Sequence, residues 1–182
     1  MMKRKMKASH FSRVVHNNKE LLKHLDVGFL RSFCNFFSHK TSYQFFMGPA
    51  GAATALHAGG TNNFHIQIYG EKTWRIVDLR FNPVIRPKST GSPLISSSFD
   101  PTRPDDQFPA DRYIDVYKAK LFPGDILYIP AFYWHHVSYD TDSIASGLRW
   151  VAPTDILRAF MMYVVMATAT NPSFFEYYWD II

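Results

Sequence analysis

The chain of 182 residues is long enough for one domain with a real core and too short for two comfortable ones. With 47% hydrophobic, 16% aromatic and 19% charged residues, it excludes a disordered polymer and favours β structure. A formal charge of +5 and a pI near 9.3 permit acidic partners, but outside the opening "MMKRKMK" the basic residues are scattered. That run reads as a solvated tail, with a nucleic-acid or targeting patch the weaker alternative. The single cysteine, Cys34, excludes an internal disulfide and fits a free thiol in a reducing compartment. "MMKRKMKASHFSRVV" lacks the apolar core of a signal peptide, and the longest apolar run, "AFMMYVVMA" from Ala159, falls short of the ~20 residues of a membrane helix. The expectation is an intracellular protein, cytoplasmic or nuclear, with no membrane partner.

In chain order, residues 17–37, "NNKELLKHLDVGFLRSFCNFF", carry apolar side chains at helical spacing with a break at Gly28, which predicts one or two short helices. "SYQFFMGPAGAATALH" reads as a strand that ends in a Gly-Pro bend and re-emerges at Thr54. "NNFHIQIYGEKTWRIVDL" alternates over two segments split by "YGEK", which predicts a hairpin. Residues 82–112 are dense in Pro, Ser and Asp and read as a long surface insertion. In "YIDVYKAKLFPGDILYIPAFYWHHVSYD", "FPGD" is a turn between strands, "ILYIP" a buried strand and "WHHVSYD" the start of the next. "SIASGLRWVAP" is a further strand, and Thr154 or Asp155 caps a final helix, "ILRAFMMYVVMATA". The order of helix, many short strands and helix predicts a mainly β jelly roll, a double-stranded β-helix, with flanking N- and C-terminal helices. The expected divisions are a tail and helical segment over 1–42, a barrel over 43–152 and a C-terminal helical segment over 153–182.

Four of the eight histidines, His57, His65, His135 and His136, lie in the strand-rich part. A lone histidine in a β core is ordinarily structural. His57, however, stands beside a Gly-rich bend, and His135 follows the turn, strand and bend of "PGDILYIPAFYW", which aims it at a barrel mouth.

"GPAGAATALHAGGTNNFHIQIYGEKTWRIVDL" together with "FPGDILYIPAFYWHHV" resembles the JmjC, cupin-like oxygenases that depend on Fe(II) and 2-oxoglutarate, over roughly residues 43–151. The likeness is to the small hydroxylase branch that includes the asparaginyl hydroxylase of hypoxia-inducible factor. It implies a cupin barrel with His57 and His135 as metal ligands, and Lys72 as the partner of the cosubstrate's far carboxylate. It further implies Thr54 as an assisting hydroxyl, with Asn63 and His65, which share a strand face by parity, lining the cosubstrate pocket. His136 points to the other side of its strand, and Trp134 and Trp150 read as core aromatics. Two imidazoles and one carboxylate hold one face of Fe(II) in such a site and leave the rest to cosubstrate and dioxygen. The family pattern is His-x-Asp or His-x-Glu, whereas this chain has His57-Ala58-Gly59, and glycine offers no donor. Three readings stay open: an oxygenase whose iron takes water or another side chain in that place, a halogenase in which chloride occupies it, or a degenerate cupin that binds without turnover. By resemblance the expected partner is a protein substrate rather than a nucleic acid. The apolar C-terminal stretch either packs back on the barrel or forms a homodimer face.

Overall fold

The computed structural model describes residues 9–11, 20, 39–89, 94–103, 105–160, 162 and 164. Among them the chain forms β1 (Ser9–Phe11), β2 (His39–Gly48), β3 (His57–Ala58), β4 (Asn62–Tyr69), β5 (Lys72–Val77), β6 (Pro87–Ser89), β7 (Ile95–Ser97), β8 (Tyr117–Leu121), β9 (Ile126–Ile129), β10 (Trp134–Tyr139) and β11 (Ser143–Val151). Two short helices join them, α1 (Asn82–Ile85) and α2 (Pro153–Arg158). The strands make two antiparallel sheets, one in the order β1-β2-β11-β4-β9 and the other in the order β6-β7-β3-β10-β5-β8. This is the expected jelly roll. No helix among the described residues is long and apolar enough to cross a membrane. The predicted helices over 17–37, Cys34 and most of the C-terminal stretch lie outside the described residues.

The predicted hairpin over 62–79 is not one. Both strands form, but β4 pairs with β11 and β9 while β5 pairs with β10 and β8, so the chain changes sheet at Gly70-Glu71. Alternation reports that a strand has two faces and says nothing about which strand lies beside it, and a two-residue link serves a sheet change as well as a tight turn. Gly70 makes the change possible: its φ is +71°, and a Cβ there would lie 2.0 Å from the Asp142 carbonyl oxygen. That close approach lets the β4–β5 link bond to the β10–β11 link. The Glu71 N–H donates to Thr141 Oγ1 at 2.8 Å, and the Asp140 N–H donates to the Glu71 carbonyl at 3.0 Å. "FPGD" is the expected turn, with Gly124 at φ +97° and the Asp125 carboxylate accepting from the Phe122 N–H, yet it too joins strands of different sheets.

The segment over 82–112 also differs from its reading as a surface loop. Its β6 and β7 extend the six-stranded sheet beside β3, and Ile85, Ile95 and Phe99 join Leu56, Val77, Phe132 and Trp134 in one buried cluster. Each such side chain contributes roughly 1.5–3 kcal/mol. The frequent Pro and Ser hid three apolar residues too far apart to form a periodic pattern. Arg86 donates twice to the buried Asp111, at 2.6 and 3.0 Å, and ties the ends of the segment together.

A second buried cluster, Trp74, Leu121, Ile129, Val137 and Tyr139, belongs to the body of the barrel, and a third gathers Tyr43, Leu148 and Trp150. Helix α2 starts at Pro153, and neither Thr154 nor Asp155 is its N-cap. Asp155 instead occupies the third helical position, where its carboxylate accepts from the Ala152 N–H at 3.0 Å and from the Asn62 amide, fastening the helix to β4.

Candidate active site

Adjacent strands β3 and β10 place His57 directly opposite His135, and the two ring centroids stand 4.3 Å apart. The His57 Nδ1–H donates to the Ala55 carbonyl at 2.8 Å, and the His135 Nδ1–H donates to the Tyr133 carbonyl at 3.0 Å. A carbonyl can only accept, so each bond fixes the tautomer that leaves Nε2 with its lone pair. Burial, and then the neighbouring His57, hold His135 well below the ordinary imidazole range, so it is neutral at pH 7. Both rings are therefore presented as metal ligands would be.

The histidines border a cavity of about 50 Å³ between the sheets. Thr54, Asn63, His65 and Lys72 line it with them, and so do Phe46, Trp74, Val137, Tyr139 and Arg149. A smaller lobe beside Gly59 and Thr61 shares His57, Asn63, His135 and Arg149 with it. All six residues expected at a site therefore share this cavity. His136 lines neither space; it is buried on the other side of β10, where burial and then Arg75 lower its pKa. Trp134 is a core residue whose indole N–H donates to Asn82 Oδ1 at 2.6 Å, and Trp150 stacks on Tyr128 and lies tilted against Phe64.

Strand β4 inverts the usual economy of a β-strand. Its inward residues are Asn63, His65 and Gln67, all buried, while Phe64 and Ile66 face the opposite way and pack against the Tyr43, Leu148 and Trp150 cluster. The Gln67 side chain stands beside the His65 ring, and among the described residues the Asn63 Oδ1 has no hydrogen-bond partner. Burial, and then Lys72, hold His65 well below the ordinary imidazole range.

Lys72 is 0% exposed, and among the described residues its Nζ has neither a hydrogen bond nor an acid facing it. The ammonium lies 4.4 Å from the Tyr139 ring centroid and 5.9 Å from that of Phe46. Such contacts soften the cost of a buried charge but do not replace an anion. Burial lowers the Lys72 pKa to about 8. The Thr54 hydroxyl accepts from the Val137 N–H at 3.0 Å, which leaves its own proton to donate.

Among the described residues no third His, Cys, Asp or Glu joins His57 and His135 in a metal-binding group. At Gly59 a Cβ would meet Leu94 Cδ2 at 3.2 Å, so even a side chain there would press on a neighbour. The donors thus fit a transition metal with two of three protein ligands, and the orphaned Lys72 ammonium fits a carboxylate. Sequence reasoning missed five wall residues, Phe46, Trp74, Val137, Tyr139 and Arg149. Arg149 sits between aromatic and apolar neighbours on β11 and carries no motif, although its parity with Gly147 opposite His65 would have aimed it inward.

A model of the cupin-like domain family matches residues 4–155. The lysine-specific demethylase JMJ30 of Arabidopsis thaliana is 30% identical over 110 residues, which are 60% of this chain and 26% of that protein. The JmjC domain-containing protein D of Dictyostelium discoideum is 33% identical over 93 residues, 50% of this chain and 21% of that protein. The chain thus spans about a quarter of the length of the curated relatives it matches. Among solved structures, the ribosomal oxygenase YcfD of Escherichia coli in complex with cobalt and 2-oxoglutarate superposes with a TM-score of 0.51 at 18% identity, covering 87% of this chain and 36% of that one. That last likeness is one of fold.

Proposed function

Because the chain belongs to the cupin-like domain family and its relatives carry JmjC domains, we propose that it is a 2-oxoglutarate-dependent oxygenase that hydroxylates a protein side chain. The observation that carries this reading is the buried Lys72 ammonium, without a counter-charge among the described residues, in the same cavity as the paired histidines. A barrel with no anion to bind gains nothing from a lysine whose burial opposes its own charge. Lys72 holds the cosubstrate's far carboxylate, the Thr54 hydroxyl donates to it, and the Asn63 amide orients its other end. His57 and His135 would hold Fe(II) through Nε2. Bound Fe(II) supplies the chemistry that activates dioxygen. The protein substrate follows from the relatives, one of which is named as a lysine-specific demethylase.

Thermal or chemical unfolding with Mn(II) and 2-oxoglutarate tests the binding half. At 100 times the dissociation constant, the ligands should add about 2.7 kcal/mol. No stabilisation by the pair together would sink the oxygenase. Succinate release from 2-oxoglutarate under Fe(II) tests turnover. The second reading, a binding module without catalysis, is favoured by the absent donor at Gly59 and the nearness of Leu94. It expects ligand stabilisation with no succinate, and a gain of turnover in Gly59→Asp would trace that silence to the missing ligand. A chloride-dependent change in the metal's absorption would turn the reading to a halogenase.

A further inference from the structure

Strand β5 turns Lys72 and Trp74 to the same side, because side chains two apart on a strand share a face, and both line the main cavity. The Trp74 side chain is buried, with the residue 3% exposed, and among the described residues its Nε1–H has no hydrogen-bond partner. An indole nitrogen only donates, and a buried tryptophan ordinarily finds an acceptor for it. Trp134 shows the contrast: it is fully buried, and its N–H donates to Asn82 Oδ1. Trp74 is held as firmly by its neighbours. It stands edge-on to His65 of the opposite sheet, with ring centroids 4.6 Å apart, and tilted against His135 at 5.7 Å. The ring is fixed while its donor is unmet.

Strand β10 places that donor. Val137 pairs with Trp74 on one side; on the other its N–H donates to the Thr54 hydroxyl and its carbonyl accepts from the Thr54 N–H. Trp74 and Thr54 therefore flank Val137, and all three line the cavity. Lys72, opposite Tyr139, stands two residues further along the same pair of strands. An ammonium, a hydroxyl proton and an indole N–H thus border one stretch of a cavity that no aspartate or glutamate lines. A carboxylate has about four lone-pair sites on its two oxygens and can accept from all three donors together, whereas a single ketone or alcohol oxygen has two.

We propose that the Trp74 indole N–H donates to the carboxylate that Lys72 neutralises. The proposal rests on the reading of Lys72 as the partner of the cosubstrate's far carboxylate and deepens it by dividing the work between two residues. An ammonium is a compact charge on a flexible stem and imposes little direction. An indole wedged against two imidazoles offers its proton along one line. Lys72 supplies the charge and Trp74 the placement, so the site selects acids that carry a carboxylate at that end.

Heteronuclear NMR of the indole Nε1–H groups, on the full chain with the diamagnetic ion Zn(II), tests this. Each of the four tryptophans gives one such resonance, and Trp74→Phe identifies that of Trp74 by its loss. The expected result is a downfield shift of the Trp74 resonance with 2-oxoglutarate and none with 2-oxobutyrate, which lacks the far carboxylate. Isothermal titration should show Trp74→Phe binding 2-oxoglutarate about tenfold more weakly than wild type, with circular dichroism confirming that the variant is folded. If the variant does not fold, the wild-type spectrum decides alone, because one indole resonance must move with the dicarboxylate and stay with the monocarboxylate. Three results would overturn the proposal and leave the oxygenase reading standing: 2-oxoglutarate binds with no indole resonance moving downfield, 2-oxobutyrate moves it equally, or folded Trp74→Phe binds 2-oxoglutarate as wild type does. Failure of 2-oxoglutarate to bind the wild-type protein with Zn(II) would overturn both.

Discussion

Lys72 concentrates the tension between stability and use. Its ammonium is completely buried with no anion in contact among the described residues, so replacing it with an apolar side chain of similar length should help the fold while removing the ligand. Lys72→Met is expected to raise unfolding stability by about 1–3 kcal/mol in ligand-free buffer and to abolish stabilisation by 2-oxoglutarate, as read by urea denaturation with and without the acid. The pH dependence has a defined sign. The folded pKa of about 8 lies below the ordinary value of 10.5, so between those limits the unfolded chain holds more protons at this residue. The Lys72 contribution to stability therefore rises with pH across roughly 8 to 10.5, by at most about 1.4 kcal/mol per unit, and is at its least favourable below 8. Dicarboxylate affinity should move the other way and fall above pH 8 as the cation is lost. Titrations at pH 7 and pH 9 check both directions, and a Lys72→Met protein should lose both slopes.

At the scale of elements, the site depends on strands that present polar groups inward and on one backbone bond that fixes a bend. The Val137 N–H of β10 donates to the Thr54 hydroxyl, and the Thr54 N–H returns a bond to the Val137 carbonyl at 2.9 Å. Thr54→Val keeps the shape and leaves a buried donor unmet, so it should cost about 1–3 kcal/mol in urea denaturation and weaken 2-oxoglutarate as well. The inward Asn63-x-His65 face of β4 was legible in the sequence, because a period of two needs only the strand itself. The partner of each strand was not, as the supposed hairpin over 62–79 demonstrates. His57 and His135 could be paired only through a family likeness, since no local pattern reports that β3 and β10 are neighbours. Arg149 stayed hidden for a related reason: one cation in a strand reads as solvent-facing until the opposite sheet is known to close over it.

Across the whole molecule, the segment over 82–112 behaves as part of the barrel wall rather than an appendage. It adds β6 and β7 beside the strand that carries His57, and the Arg86–Asp111 pair clamps it shut, with the Asp111 side chain 0% exposed. Asp111→Ala leaves Arg86 facing a hole and should cost about 3–5 kcal/mol, enough to lower the melting temperature by several degrees in a chain of this size. If the clamp also sets the position of β3, metal-dependent stabilisation should shrink in the same variant. Low periodicity makes this stretch read as a surface insertion, and its few apolar residues matter because each packs into a cluster with residues of distant strands.

The sheet changes at Gly70-Glu71, at Phe122–Asp125 and between β10 and β11 have a kinetic consequence. A strand that never pairs with its immediate successor must wait for remote ones, so β2 cannot settle until β11 has arrived, and loop closure delays every early encounter. Such a chain belongs to the slow, millisecond-to-second end of folding rates. The pocket, whose walls come from both sheets, exists only after that search is complete. A ligand held by Lys72 on one sheet and Asn63 on the other therefore acts as a late brace: it lengthens the lifetime of the finished barrel by slowing its opening, and it leaves the rate of assembly where the topology set it.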